Sequence, residues 1–229
     1  MATPPPPTYE AYDPRGWSKT TQILAVCGGI TGAALAVALP FITPALRKYC
    51  IPYVPATEGQ VRLVLEEMAT HVRRKTHGVE GGKGGKKPLE GVVMADLGCG
   101  DGRVVIEAAK QGAAMATGIE INWWLVMYGR IRAWREGVGS NTRFIHGDLW
   151  KARLDEYHAM SVFGVAEMLP KLETKMEDEM QEGAVVVACR FPLPNWIPVH
   201  KIERSHLLSV WTYDHSSINS ESGKEGTYF

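Results

Sequence analysis

Val92-Val-Met-Ala-Asp96-Leu-Gly98-Cys-Gly100-Asp-Gly102-Arg103 joins an apolar run, an acid at its end, three alternating glycines and the start of a new apolar periodicity. A short apolar run closed by glycines reads as a buried strand, and spacing of about 3.6 residues after it reads as a helix. Glycine lets the backbone turn sharply and approach a ligand without a Cβ in the way. The spacing is G-x-G-x-G, and Arg103 stands where a dinucleotide-binding fingerprint places its third glycine, which argues against NAD and FAD. Asp96, two residues before the first glycine, would repel a pyrophosphate and suits a ligand that carries an ammonium and a sulfonium.

Outward from this turn, strands are expected at Val92–Leu97, Met115–Ile121, Thr142–His146, Ala159–Gly164 and Ala184–Arg190, with helices at Arg103–Gln111, Trp123–Glu136 and Glu167–Glu182. Alternating strands and helices imply a mostly parallel sheet covered on both faces. After Arg190, FPLPNWIPVHKI reads as irregular and LLSVWTYD as one more strand, a candidate antiparallel edge. Open sheets of this kind bind ligands at the carboxyl ends of their strands. Glu120 ends the second strand, where a carboxylate can accept from both ribose hydroxyls, and Asp148 follows the third, within reach of an adenine amine. Singly, Asp101 and Asp148 also read as helix caps and Glu120 as a solvated strand end. Together, Asp96, the glycines, Glu120 and Asp148 at successive strand ends point to S-adenosyl-L-methionine.

The flanks differ from this core. Residues 1–19 hold a proline run without apolar periodicity and read as a disordered arm. Thr20 to Leu46 contains no Asp, Glu, Lys, Arg or His, with Lys19 before it and Arg47-Lys48 after it. Such a segment is long enough for a membrane-crossing helix, which needs roughly 20 apolar residues; a buried core helix or a secretory signal are the alternatives. Thr57 and Gln60 have capping-box spacing ahead of Val61, Val64, Leu65, Met68 and Val72, so residues 47–91 should hold an amphipathic helix over Glu58–Arg74 and then a Gly/Lys-rich loop. The strand-and-helix domain is expected over 92–214 and a flexible tail over 215–229.

The 229 residues carry 25 basic and 25 acidic side chains, so nothing favours a partner bound through phosphates. Neutrality conceals asymmetry: residues 1–91 hold 11 basic and 7 acidic side chains, and the rest hold 14 and 18. An acidic domain suits a cationic ligand. Cys27, Cys50, Cys99 and Cys189 form no C-x-x-C pair, so no structural metal, redox dithiol or disulfide framework is expected, and a reducing compartment is.

DLGCGDGRVV, GIEINWWLV, RAWREGV, GDLWK, ACRFPLPNW and VWTYD resemble, in order and spacing, the small mitochondrial protein-lysine methyltransferases that modify the ATP synthase c-subunit or the adenine nucleotide translocase. The resemblance extends from Thr43 to Asp214, and TPALRK, PYVPAT and RAWREGV lie nearer the c-subunit group. It implies an α/β, seven-strand S-adenosylmethionine-dependent (Rossmann-like) methyltransferase fold with an N-terminal hydrophobic helix. It also implies transfer to a lysine, and Asp96, Gly98, Gly100, Glu120 and Asp148 as cofactor residues. It further implies an uncleaved signal, an inner-membrane or cristae location and a matrix-facing domain; Glu10 and Asp13 beside Arg15 and Lys19 are unlike a cleavable transit peptide. Asn122-Trp123-Trp124 departs from the family's Asn-Pro-Trp.

Methyl transfer needs a neutral amine aligned with the methyl carbon, and desolvation helps a lysine lose its proton. No base is obligatory. Arg190–Trp196 is the candidate lysine channel, with Trp150, Trp211 and Tyr213 as candidate walls; the catalytic candidates are Trp150, Glu167, Phe191, Trp196 and Tyr213. Each ring reads equally as a packing residue, and Glu167 as a helix start. Phe163-Gly-Val-Ala-Glu167 lacks the Asn/Asp-Pro-Pro-Tyr/Phe motif of amide and base-amine methyltransferases. The alternatives are a translocase-directed enzyme and a noncatalytic cofactor-binding adaptor.

Overall fold

The computed structural model describes residues 19–42, 55–76, 87–205 and 208–218. The proline-rich arm, TPALRK, most of the Gly/Lys-rich loop and the end of the tail lie outside the described residues. Two compact units divide the chain, residues 1–50 and 51–229.

The first unit contains α1 (Lys19–Ile42), 24 residues long, or about 36 Å at the usual helical rise. Ile23, Leu24, Val26, Ile30 and Leu35 are exposed. Among the described residues, no helix is long and apolar enough to cross a membrane. The membrane-crossing helix expected over 20–46 is therefore not found there, and the uncharged run continues to Leu46, past the described residues.

The second unit opens with α2 (Glu58–Thr76). Its capping box forms as expected: the Thr57 amide donates to Gln60 Oε1 at 2.8 Å, and the Gln60 amide to Thr57 Oγ1 at 3.3 Å. The sheet follows with β1 (Val93–Leu97), β2 (Met115–Glu120), β3 (Thr142–His146), β4 (Ala159–Val162), β5 (Val185–Cys189), β6 (His200–Ser205) and β7 (Leu208–Asp214). Between strands run α3 (Arg103–Lys110), α4 (Trp123–Arg135) and α5 (Leu169–Glu179), and α6 (His215–Ile218) follows β7. The strand order is β3-β2-β1-β4-β5-β7-β6, parallel except for β7, which runs antiparallel to β5 and β6.

Alternation along β5 divides the core. Val185, Val187 and Cys189 face the cluster with α2, α3 and α4, while Val186 and Ala188 face the one with α5. All five are buried, hence the continuous apolar run in sequence. Two expectations need correction. The fourth strand stops at Val162, and a 3-10 turn (Ala166–Met168) precedes α5, whose first turn holds Pro170, where a missing N–H costs nothing. The segment read as irregular ends in the first residues of β6, an edge strand of exposed, mostly polar side chains that shows no alternation in sequence.

Candidate functional site

Strand order reverses between β1 and β4, and the carboxyl ends of the strands beside such a reversal are the usual ligand position in such sheets. The glycine turn after β1 is tight: Gly98, Gly100 and Gly102 all have positive φ, at 82°, 54° and 78°. At Gly98 an added Cβ would meet no atom within 4 Å, so this backbone faces open space, as a ligand cradle requires. At Gly102 a Cβ would lie 2.5 Å from Phe144 Cε1, so there glycine is needed for packing.

Asp96 is 3% exposed and lies in register with Ser161 of β4, whose hydroxyl donates to Asp96 Oδ1 at 2.7 Å. Burial pushes the Asp96 carboxyl up to about 7; the Ser161 hydrogen bond opposes this, and the charges of Glu120 and Asp101 add to it. Such a carboxyl gains most from a cationic ligand. Burial, with the charges of Asp96 and Glu120, also holds the Cys99 thiol well above its ordinary range and makes it a poor nucleophile.

Glu120 accepts from the Gly100 amide at 3.0 Å through Oε2 and from the Asn122 amide at 2.8 Å through Oε1. Asn122 in turn caps α4, accepting from the Trp124 amide at 3.0 Å, so the helix start is organised without the family's proline. Asp148 caps the 3-10 turn Leu149–Lys151 through the Trp150 amide, at 3.1 Å, which realises the capping alternative. Asp101 instead pairs with Arg103 at 2.7 Å and Arg132 at 3.6 Å.

Asp96, Gly98, Gly100 and Glu120 are thus brought together, with Asp148 after the next strand. The substrate-side candidates fall into two groups. Trp196 and Tyr213 are buried in the core, where the Trp196 indole donates to Glu177 at 2.7 Å and the Tyr213 hydroxyl accepts from the Leu193 amide at 2.9 Å. Trp211 is also buried. Phe191 and Glu167 are exposed, and Trp150 carries the Lys171 ammonium 4.4 Å from its ring centroid. Arg190, at the head of the loop, holds a positive φ of 79°, a strained conformation for a non-glycine.

Two contributors carry no signal in the linear sequence. Ser161 is placed by strand register alone. Glu173 on α5 accepts from the Asn195 amide, the Asn195 side chain and the Trp196 amide at 2.8, 2.7 and 3.0 Å, clamping the loop.

Comparison with known proteins agrees with this geometry. The family model of the ANTKMT methyltransferase domain matches residues 96–200. The chain is 49% identical over 189 residues to the ATP synthase c-subunit lysine N-methyltransferase of Xenopus laevis, covering 82% of this chain and 74% of that protein. It is 39% identical over 164 residues to the adenine nucleotide translocase lysine N-methyltransferase of Mus musculus, covering 72% and 63%. An RNA methyltransferase of Salinibacter ruber, solved with S-adenosyl-L-homocysteine, superposes with a TM-score of 0.60 at 27% identity, over 75% of this chain and 98% of that one. With its glycine turn and strand-end acids, the chain belongs to the S-adenosylmethionine-dependent protein-lysine N-methyltransferases, alongside the enzymes named for the ATP synthase c-subunit and the adenine nucleotide translocase.

Proposed function

We propose that this enzyme methylates a lysine of the mitochondrial ATP synthase c-subunit at the inner membrane, its catalytic domain on the matrix side. The observation that carries the substrate is the 49% identity to the Xenopus laevis enzyme, sustained over 82% of the chain. The translocase-directed relative shares less, 39% over 72%. The uncharged run from Thr20 to Leu46 supports membrane association. So do the exposed Trp123, Tyr128, Ile131 and Trp134 of α4, since Trp and Tyr favour membrane–water interfaces.

In this reading Gly98 and Gly100 admit the cofactor to the backbone, Asp96 supplies countercharge, Glu120 accepts from the ribose and Asp148 from the adenine. When bound, S-adenosylmethionine supplies an electrophilic methyl carbon. The chain positions the lysine: the 190–196 loop, clamped by Glu173, borders the entrance, with Phe191 and Glu167 exposed beside the strand ends. Partial desolvation there favours the neutral amine, and its proton leaves to water.

Incubating the purified chain with labelled cofactor and mitochondrial membranes depleted of the enzyme tests the reading. Label is expected in the c-subunit and is absent with Glu120→Ala; label in the translocase alone overturns the substrate. Deleting residues 18–45 should release the protein from carbonate-washed membranes while cofactor binding persists; retention overturns the anchor.

A further inference from the structure

A second polar cluster lies at the other end of the sheet order, among α2, β6 and β7. Glu67 and His71 stand one helical turn apart on α2, and both are only 8% exposed. His200 begins β6 directly opposite Thr212 of β7. One carboxylate oxygen, Glu67 Oε2, accepts from His200 Nδ1 at 2.7 Å and from the Thr212 hydroxyl at 3.1 Å, and lies 3.7 Å from His71 Nδ1. The imidazole rings are 5.5 Å apart. Donor atoms of all three residues fall within 4.8 Å of one another.

We propose that Glu67, His71 and His200 form a site for a zinc-class divalent cation that fastens α2 to the β6–β7 edge. Two imidazole nitrogens and one carboxylate oxygen match the borderline donor set of zinc. Tetrahedral coordination at about 2.0–2.1 Å sets donor atoms about 3.3 Å apart. The Glu67–His71 separation is already near this value, and the Glu67–His200 hydrogen bond must open by about 0.6 Å. His200 can supply that movement, because its side chain is 47% exposed at the start of an edge strand. The cation replaces the proton between His200 Nδ1 and Glu67 Oε2. His71 Nδ1, now 2.9 Å from the Glu67 carbonyl, turns its lone pair to the ion when the ring takes its Nε2–H tautomer. The carbonyl oxygen keeps its helical partner. Thr212 orients the carboxylate from behind, and water fills the position beside exposed His200. His200 stands 133 positions from Glu67 in the chain, so no short motif announces the three residues, and the expectation of no metal rested only on cysteine spacing.

The test uses the full-length chain in detergent, stripped with a chelator and titrated with zinc chloride and cobalt chloride. Zinc is expected to bind with one-to-one stoichiometry and to raise the melting temperature by about 5–10 °C at a hundredfold excess over Kd. Cobalt should give visible ligand-field bands without a thiolate charge-transfer band. His200→Ala should weaken zinc at least tenfold while S-adenosylhomocysteine affinity stays within twofold. His200→Cys should introduce the missing thiolate band, a gain of signal that a destabilised chain cannot mimic. No stoichiometric binding, wild-type zinc affinity in His200→Ala, or an unchanged cobalt spectrum in His200→Cys overturns the site and leaves a metal-free hydrogen-bonded clamp.

Discussion

Glu120 Oε2 accepts the Gly100 amide at 3.0 Å, so a carboxylate at the end of β2 holds the glycine turn that follows β1. Its second oxygen holds the Asn122 amide before α4. Substitution here should therefore alter the shape of the turn as well as the ribose recognition proposed for Glu120. Glu120→Ala should weaken S-adenosylhomocysteine by ~100-fold and Glu120→Gln by ~10-fold, the glutamine keeping one acceptor oxygen. Calorimetric titration measures both, and wild-type affinity in the alanine variant would remove Glu120 from the site.

Asp96 makes stability and cofactor binding depend on pH in opposite directions. Its carboxyl titrates near 7 in the folded chain against an ordinary value of 3.8. Between those values the folded chain holds a proton that the unfolded chain has lost, so stability falls as pH rises through the window, by up to ~4 kcal/mol. A cationic cofactor favours the carboxylate. Its binding should release protons near pH 6–7, and affinity should climb by up to about tenfold per unit below the folded value. Asp96→Asn should abolish both dependences. Calorimetry in two buffers of different ionisation heat counts the protons; equal observed heats in the two buffers at about pH 6.5 would show that Asp96 does not couple.

Gly102 and Phe144 test the packing behind the turn. Gly102→Ala combines a φ of +78° with a 2.5 Å approach to the Phe144 ring, and should cost about 2–4 kcal/mol. Adding Phe144→Leu should recover part of this by removing the clash and leaving the backbone strain. Denaturant melts of both variants decide; full recovery would mean that the backbone conformation costs nothing.

Legibility in the sequence followed the range of each interaction. The β1 turn, the strand-end acids and the Thr57–Gln60 capping box are local patterns, and each formed where its spacing placed it. Strand β6 stayed hidden because an exposed edge strand buries little on either face and shows no alternation. Ser161, Glu173 and the Glu67–His71–His200 cluster depend on register or tertiary packing, which no window of sequence contains. Trp196 and Tyr213 illustrate the converse: a ring's chemistry suits a lysine channel or a core equally, and here both are buried.

Glu173 offers a way to separate substrate handling from cofactor binding. It is 2% exposed, and burial raises its carboxyl above the ordinary range although Asn195 and Trp196 donate to it. Glu173→Ala leaves three donors of the 190–196 loop without their acceptor, at a cost of about 3 kcal/mol in stability. If the loop borders the lysine entrance, kcat/KM for the protein substrate should fall at least ~10-fold while S-adenosylhomocysteine affinity stays within about twofold. Glu173→Gln, which still offers one acceptor oxygen, should recover part of the rate. A parallel loss of cofactor affinity would instead mean that the clamp supports the whole carboxyl edge of the sheet, and the loop would have no separate part in positioning the lysine.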